Sequence, residues 1–388
     1  MLTRRRFVQT VGIGAAAYIG ARGRENSVFS VLETPLLALE PGTICLSSNE
    51  NPLGPGREVL AAIKDAFGPN GATPGRYSAS AHDLIDAIAK KQGVKPENVV
   101  LGCGSTQILR SATHLFTAKD KPLVGTIPTY EECAGYAEMM GHPVRPVALD
   151  RTFKIDLDAF ADAAKGAGLV FYCNPNNPTA TYVGARATRD FLARVAKDSP
   201  ETTVLIDEAY FDYVTDPDHA THIPVAVDNP RVIVARTFSK AYGMAGLRIG
   251  YAIGHPDTIK KMAEWDAGLG TSSLNVLAMR AAIVAIQRDP SFVAEERARN
   301  TAVRDFTMKW FADRGMTPTD SQANFMFVDI GRPAQSFRDA CKIKGVLVAR
   351  DFPPFEKTHC RISYGTMDEM KKAVAVFEQV LAKKAAAA

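Results

Sequence analysis

The stretch Val232-Ile233-Val234-Ala235-Arg236-Thr237-Phe238-Ser239-Lys240 decides how this chain is read. Residues 232–235 form an apolar, largely β-branched run, the pattern of a strand buried on both faces. Where it ends, Thr237 and Ser239 bring two hydroxyls and Lys240 an amine, and Arg248 follows eight residues after the lysine. Hydroxyls and a guanidinium gathered at one strand terminus suit a phosphate-like anion. The lysine carries more information. Set among Phe238, Tyr242 and Met244, its amine is expected to be partly desolvated, which favours the neutral, nucleophilic form. Taken alone, it also fits a surface lysine in a Gly-rich turn.

Working outward, runs of the same kind recur at 99–101, 123–125, 169–173, 204–207 and 249–253. Amphipathic helical patterns lie between most of them, such as 105–116 with Ile108, Leu109, Ala112, Leu115 and Phe116 on one face. This rhythm predicts an α/β fold whose large domain, 72–270, holds a mainly parallel sheet flanked by helices. From about Ser272 the rhythm changes. Helical patterns at 274–288 and 292–314 precede strands at 325–329, 346–349 and 360–364, with helices at 334–344 and 367–384. Residues 24–71 and 271–388 are therefore expected to form a smaller α+β domain that folds back and leaves a cleft.

Composition bounds the function. The 388 residues are 46% hydrophobic and 23% charged, as in ordinary globular chains. Net charge is +4, and three of those charges are Arg4, Arg5 and Arg6, so the body is nearly neutral. That balance gives no electrostatic reason to expect nucleic acid. The basic start, Thr3-Arg4-Arg5-Arg6-Phe7-Val8-Gln9, precedes an uncharged apolar stretch at 11–21 and resembles a twin-arginine export signal over 1–23. The stretch is too short to span a bilayer, and cleavage after Ala17 or Ala21 is consistent with it. The six cysteines show no C-x-x-C spacing, and His219 and His222 sit in a polar, loop-like segment, so no metal site is expected.

Three further motifs fall at predicted strand ends. Gly102-Cys103-Gly104-Ser105-Thr106 leaves a strand and opens a helix, where free N–H groups favour an anion. Asn174-Pro175-Asn176-Asn177-Pro178-Thr179 ends another strand, and Asp207-Glu208-Ala209-Tyr210 a third. An acid terminating a buried strand is costly unless it finds a partner. A protonated pyridine nitrogen would be one.

Together, in this order and spacing, these motifs resemble the pyridoxal-phosphate-dependent aminotransferases of fold type I, most closely the histidinol-phosphate aminotransferase group, over about Leu46 to Gly365. The resemblance implies pyridoxal 5'-phosphate as cofactor, held as a Schiff base by Lys240, which then moves a proton at the substrate Cα. It implies that Asp207 pairs with the ring nitrogen, that Asn177 and Tyr210 contact the ring's phenolic oxygen, and that Tyr130 stacks on the ring. Gly104, Ser105, Thr106, Thr237, Ser239 and Arg248 would hold the phosphate. Tyr77 would reach the cofactor of a neighbouring subunit, implying a homodimer. Arg361 would bind the substrate carboxylate, and Arg350 stands where relatives bind a substrate phosphate. The substrates would be a small-molecule amino donor and a carbonyl acceptor.

Departures from the group's pattern bear on the substrate. Thr106-Gln107 replaces acidic residues after the cradle serine, Ser78 follows Arg76-Tyr77 in place of proline, and Ala180 replaces a glycine. Ala180 is expected to avoid a positive φ. Glu50 and Asn51 are expected in a segment closing over the site, and His359 on a solvent-facing strand position. Export would bring the folded, cofactor-loaded protein out of the cytoplasm, which favours an amine or amino acid other than a histidine-pathway intermediate. The same residues also serve decarboxylation, elimination or oxidative deamination. An exported, non-catalytic protein binding a phosphorylated ligand is a reading of a different class. A nicotinamide enzyme is a poorer fit, because Gln107 breaks the G-x-G-x-x-G pattern.

Overall fold

The structure is a computed structural model, and it describes residues 41–68, 73–76, 81–267, 274–288 and 290–382. The proposed export segment, Tyr77 and residues 383–388 lie outside the described residues.

The chain enters on a short strand, β1 (Ile44–Leu46), and then builds one seven-stranded sheet. Its strands are β2 (Val99–Gly102), β3 (Leu123–Ile127), β4 (Val144–Ala148), β5 (Leu169–Cys173), β6 (Thr203–Asp207), β7 (Val232–Thr237) and β8 (Gly250–Gly254). The order is β2-β8-β7-β6-β5-β3-β4. Strands β3 to β7 pair in parallel, whereas β8 runs antiparallel to both β7 and β2. Parallel neighbours need a long crossover, usually helical. The link 238–249 offers only the single turn Ala245–Leu247, so the chain doubles back beside β7.

Strands β5, β6, β7 and β8 are buried along their whole length, which is why they are apolar runs in the sequence. Edge strand β4 differs. Arg145 and Pro146 interrupt it, and proline is tolerated there because an edge strand has an unpaired side. Helices on both faces bury Phe160, Phe191 and Val195 on one side and Ile108, Leu109 and Ala112 on the other.

A second core forms around β1, β9 (Phe325–Asp329), β10 (Val346–Val348) and β11 (His359–Ser363). β1 pairs in parallel with β10, and β9 pairs antiparallel with β11. Phe311, Phe337 and Phe377 from the helices Ser291–Ala312, Ala334–Ile343 and Met367–Ala382 fill it. The helix Val276–Gln287, together with Val59, packs into the core of the large sheet. Among the described residues, no helix is long and apolar enough to cross a membrane.

Candidate active site

A cavity of about 420 Å³ opens at the C-terminal ends of β5, β6 and β7, the end where parallel sheets receive ligands. Asp207, the last residue of β6, lies between Cys173 of β5 and Ala235 of β7 and is 3% exposed. Its carboxylate accepts the Ala209 amide at 3.1 Å, and among the described residues no side chain donates to it. Burial pushes its pKa up to about 7, against the pull of that amide and of the Lys240 amine. A buried acid of this kind fits a cationic ligand atom.

Lys240 enters the same cavity from the loop after β7. Its Nζ donates to the Ser48 carbonyl at 3.3 Å and lies 5.5 Å from the centre of the Tyr210 ring. Burial, helped by the Arg361 charge, lowers its pKa to about 8. The neutral, nucleophilic form is therefore easier to reach than in an exposed lysine.

The turn into β8 joins the two anion-binding elements. Thr237 Oγ1 and Ser239 Oγ are 3.0 Å apart, Arg248 Nη1 reaches Ser239 Oγ at 3.4 Å, and its Nη2 reaches Thr106 Oγ1 at 3.4 Å. Ser105 and Thr106 come from the first turn of the helix Gly104–Phe116, which stacks on the start of β8. Gly104 has φ +71°, and a Cβ there would run into the Arg248 guanidinium. A Cβ at Gly250 would strike the Ser105 amide. Both glycines are required by close approach, and the result is a cradle of hydroxyls, helix N–H groups and one guanidinium. Gln107 folds back, its Oε1 accepting the Cys103 amide at 2.7 Å, so the uncharged residue there ties the cradle turn.

Tyr130 and Tyr210 also line the cavity; burial raises the Tyr130 phenol to about 12 and holds Tyr210 well above its ordinary range. Arg361 arrives from β11, and its guanidinium lies 5.5 Å from the Phe325 ring and 4.8 Å from the Phe352 ring. Its Nη1 donates to Asn177 Oδ1 at 2.7 Å, while its buried Nε has no partner among the described residues. Arg350 stands at the mouth, half exposed over the Phe352 ring. Both its Nη atoms donate to Glu131, Nη1 to Oε1 at 3.1 Å and Nη2 to Oε2.

All the site residues singled out in the sequence and described in the structure thus gather around one cavity. Gly104 serves as backbone beneath Arg248 rather than as lining. Ser48, Asn49 and Glu50 line it as well, and Asn51 Nδ2 donates to the Ala241 carbonyl at 3.0 Å, tying this segment to the lysine loop. Glu131 and Asn49 were given no role from the sequence; Glu131 directly follows Tyr130, and Asn49 directly precedes the Glu50-Asn51 pair expected to close over the site.

Two expectations need correcting. Ala180 does adopt a positive φ, +61°. Its amide closes a turn on Asn176 O at 2.7 Å and its carbonyl accepts the Gln322 amide at 2.8 Å, and this pairing holds a strained backbone in place. His359 is half-buried rather than solvent-facing. It packs among the rings of Phe153, Phe327 and Phe355, and burial lowers its pKa.

Comparison with known proteins places the geometry in a family. A family model described as aminotransferase class I and II matches residues 41–377. The histidinol-phosphate aminotransferase of Moorella thermoacetica is 35% identical over 345 residues, covering 87% of this chain and 86% of that protein. Histidinol-phosphate aminotransferase 2 of Methylococcus capsulatus is 33% identical, covering 87% and 90%. The crystal structure of the Sinorhizobium meliloti histidinol-phosphate aminotransferase in complex with pyridoxal-5'-phosphate superimposes with a TM-score of 0.79 at 26% identity, covering 94% of this chain and 99% of that one. These matches do not support the non-catalytic reading.

Proposed function

Since this chain belongs to the class I and II aminotransferases, we propose that it transfers an amino group from a donor anchored at Arg361 to a carbonyl acceptor. Pyridoxal phosphate is its cofactor. The site suits that group in two respects. Among the described residues no side chain donates to the acid at Asp207, and Gly104 and Gly250 leave the cradle open where a Cβ would close it. When bound, the cofactor supplies an aldehyde that takes up the amino group and a ring that accepts the electron pair left at the donor's Cα.

The protein's own groups do the rest. Lys240 Nζ holds the aldehyde covalently and then carries the proton at Cα, a task for which a pKa near 8 is well matched. Asp207 keeps the ring nitrogen protonated. Thr106, Thr237, Ser239 and Arg248, with the Gly104–Ser105 turn, bind the phosphate; Tyr130 covers the ring; Asn177 and Tyr210 address its phenolic oxygen. Arg361, in a water-poor wall between two phenyl rings, pairs with the donor carboxylate.

The donor's far end meets Arg350, and this is where the chain departs from the substrate in its relatives' names. Glu131 already engages both Nη atoms of that arginine, so a distal phosphate would compete there with a carboxylate. We therefore read the donor as an amino acid whose distal group is not a phosphate ester.

One observation carries the proposal: Lys240, Asp207 and Arg361, from three separate elements, line one cavity. The test is to load the purified protein with pyridoxal phosphate, offer a panel of amines and amino acids, and follow conversion of the bound cofactor to its pyridoxamine form. At least one donor converts it, and Lys240→Ala removes both the visible absorbance and turnover. Failure of every donor would refute transfer.

We further propose a homodimer and export through the twin-arginine route. A homodimer in which Tyr77 reaches the neighbouring cofactor draws support from Leu53, Leu60 and Phe67, large apolar side chains exposed within one short segment next to the cavity; sedimentation at twice the chain mass tests it. Export through the twin-arginine route draws support from Arg4-Arg5-Arg6 and the apolar stretch after them; replacing the arginines by lysine should retain the protein in the cytoplasm on fractionation.

A further inference from the structure

We infer that Asn49 is a positioning residue: its side-chain amide sets the direction of the Tyr210 hydroxyl, aiming the phenol proton into the cavity at the ring oxygen of the cofactor. The inference rests on the roles proposed above for Lys240 and Tyr210.

The bonding can be followed proton by proton. The Asn49 backbone N–H donates to Ser363 Oγ at 2.9 Å. Ser363 has one proton of its own, and that proton goes to Asn49 Oδ1 at 2.7 Å. Oδ1 is thus the accepting end of the amide and Nδ2 the donating end, and Nδ2 donates to Tyr210 Oη at 3.0 Å. Having accepted there, the phenol must send its single proton elsewhere. Tyr210 lines the cavity, and no other described group takes that proton.

Asn49 is held hard in this role. It is 1% exposed with φ +55°, a left-handed backbone that asparagine tolerates better than most residues. Its carbonyl accepts Asn324 Nδ2 at 3.0 Å, so its backbone N–H and C=O and both polar side-chain atoms are all engaged. Ser363 lies two residues beyond Arg361 on β11, so it falls on the same face of that strand, beyond the cavity lining. One strand therefore carries the anion-binding guanidinium and also orients the amide that orients the phenol.

A donated hydrogen bond stabilises an oxygen in its charged form. Aimed at the ring oxygen, the Tyr210 proton lowers the pH at which the lysine-held cofactor loses its own proton, and the amide of Asn49 keeps it aimed. Asn49→Asp keeps the shape but replaces the donor by an acceptor-only carboxylate, which would draw the phenol proton to itself.

The experiment is a pH titration of the bound cofactor's visible absorbance in the full-length holoenzyme, with cofactor content measured alongside. In Asn49→Asp the midpoint should rise by about one to two pH units, the equivalent of one hydrogen bond to a charged oxygen. Ser363→Ala, whose residue does not line the cavity, should shift it in the same direction by less, because the amide is then free to turn over. If Asn49→Asp does not fold, Ser363→Ala alone decides. Wild-type midpoints in fully loaded variants would overturn the relay and leave the transfer reading intact. A wild-type protein with no titratable visible absorbance would overturn both.

Discussion

Asp207 and Glu208 are consecutive carboxylates at the end of the same buried strand, each 3% exposed, and their side chains point to opposite sides of the sheet. On the cavity side, Asp207 meets one backbone amide, and burial raises it to about 7. On the far side, burial pushes Glu208 upward as well, but Arg236 and His222 outweigh it and hold the carboxyl at about 2. The Arg236 Nε and Nη2 both donate to Glu208 Oε2, at 2.8 and 2.6 Å. Thr221 Oγ1 reaches the same oxygen at 2.9 Å, and the His222 backbone amide reaches Oε1 at 2.9 Å. Arg236 in turn lies 3.8 Å over the Phe211 ring. Depth alone therefore does not decide what a buried acid is for. Glu208 has its partners supplied by the chain and is part of the framework, whereas Asp207 is left for a partner that arrives from outside.

The contrast can be broken from either side. Asp207→Asn should lower amino transfer by about three orders of magnitude or more, since it removes the charge that holds the ring nitrogen's proton; single-turnover absorbance measures it. The same change should leave the cofactor-free fold intact. Glu208→Ala should do the reverse, destabilising the fold by about 3–5 kcal/mol because the Arg236 charge is left buried and unpaired. Denaturant melts of the cofactor-free protein read this directly, and a mild loss would show that Arg236 finds other partners.

The pH dependence sharpens the comparison. Asp207 has a folded pKa of about 7, above its ordinary 3.8. A raised acid contributes most below about 4 and loses that contribution as pH rises through 7. Glu208, depressed to about 2 from 4.5, contributes above 4.5 and loses it as pH falls through 2. Thermal melts of the cofactor-free protein should thus show that Asp207→Asn flattens a decline between about pH 4 and 7, while Glu208→Gln removes stability that wild type keeps down to about pH 4. The smallest effect is expected at the mouth. Freeing Arg350 by Glu131→Gln should raise kcat/KM for a phosphorylated amino donor by about tenfold relative to an unphosphorylated one, within the range of a single charged contact.

Much of this was legible in the sequence because the parallel strands are buried on both faces. Such strands appear as uninterrupted apolar runs, and polar residues at their ends stand out, as Asp207, Lys240 and Asn177 do. The antiparallel course of β8 has no signal within the strand; its one sign is the link 238–249, too short for a helical crossover, and the apolar run at 249–253 was read with the parallel strands instead. β4 was hidden by Arg145 and Pro146. Asn49 and Glu131 act on residues 161 and 219 positions away in the chain, and no local periodicity reports such pairings. Ala180 and His359 were misjudged for a related reason: residue preference yields when surrounding hydrogen bonds or rings overdetermine the backbone or the side chain.

β11 pairs with β9 from His359 opposite Asp329 to Ser363 opposite Phe325, sending Cys360 and Ile362 into the smaller core and Arg361 toward the cavity. Side chains alternate, so a shift of the ladder by a single step would exchange these faces. Deleting Cys360, inside the ladder and next to the arginine, would therefore turn the guanidinium from the cavity toward the core while every residue of the site remained in the chain. Anion recognition thus depends on the alternation of β11 as much as on the arginine itself.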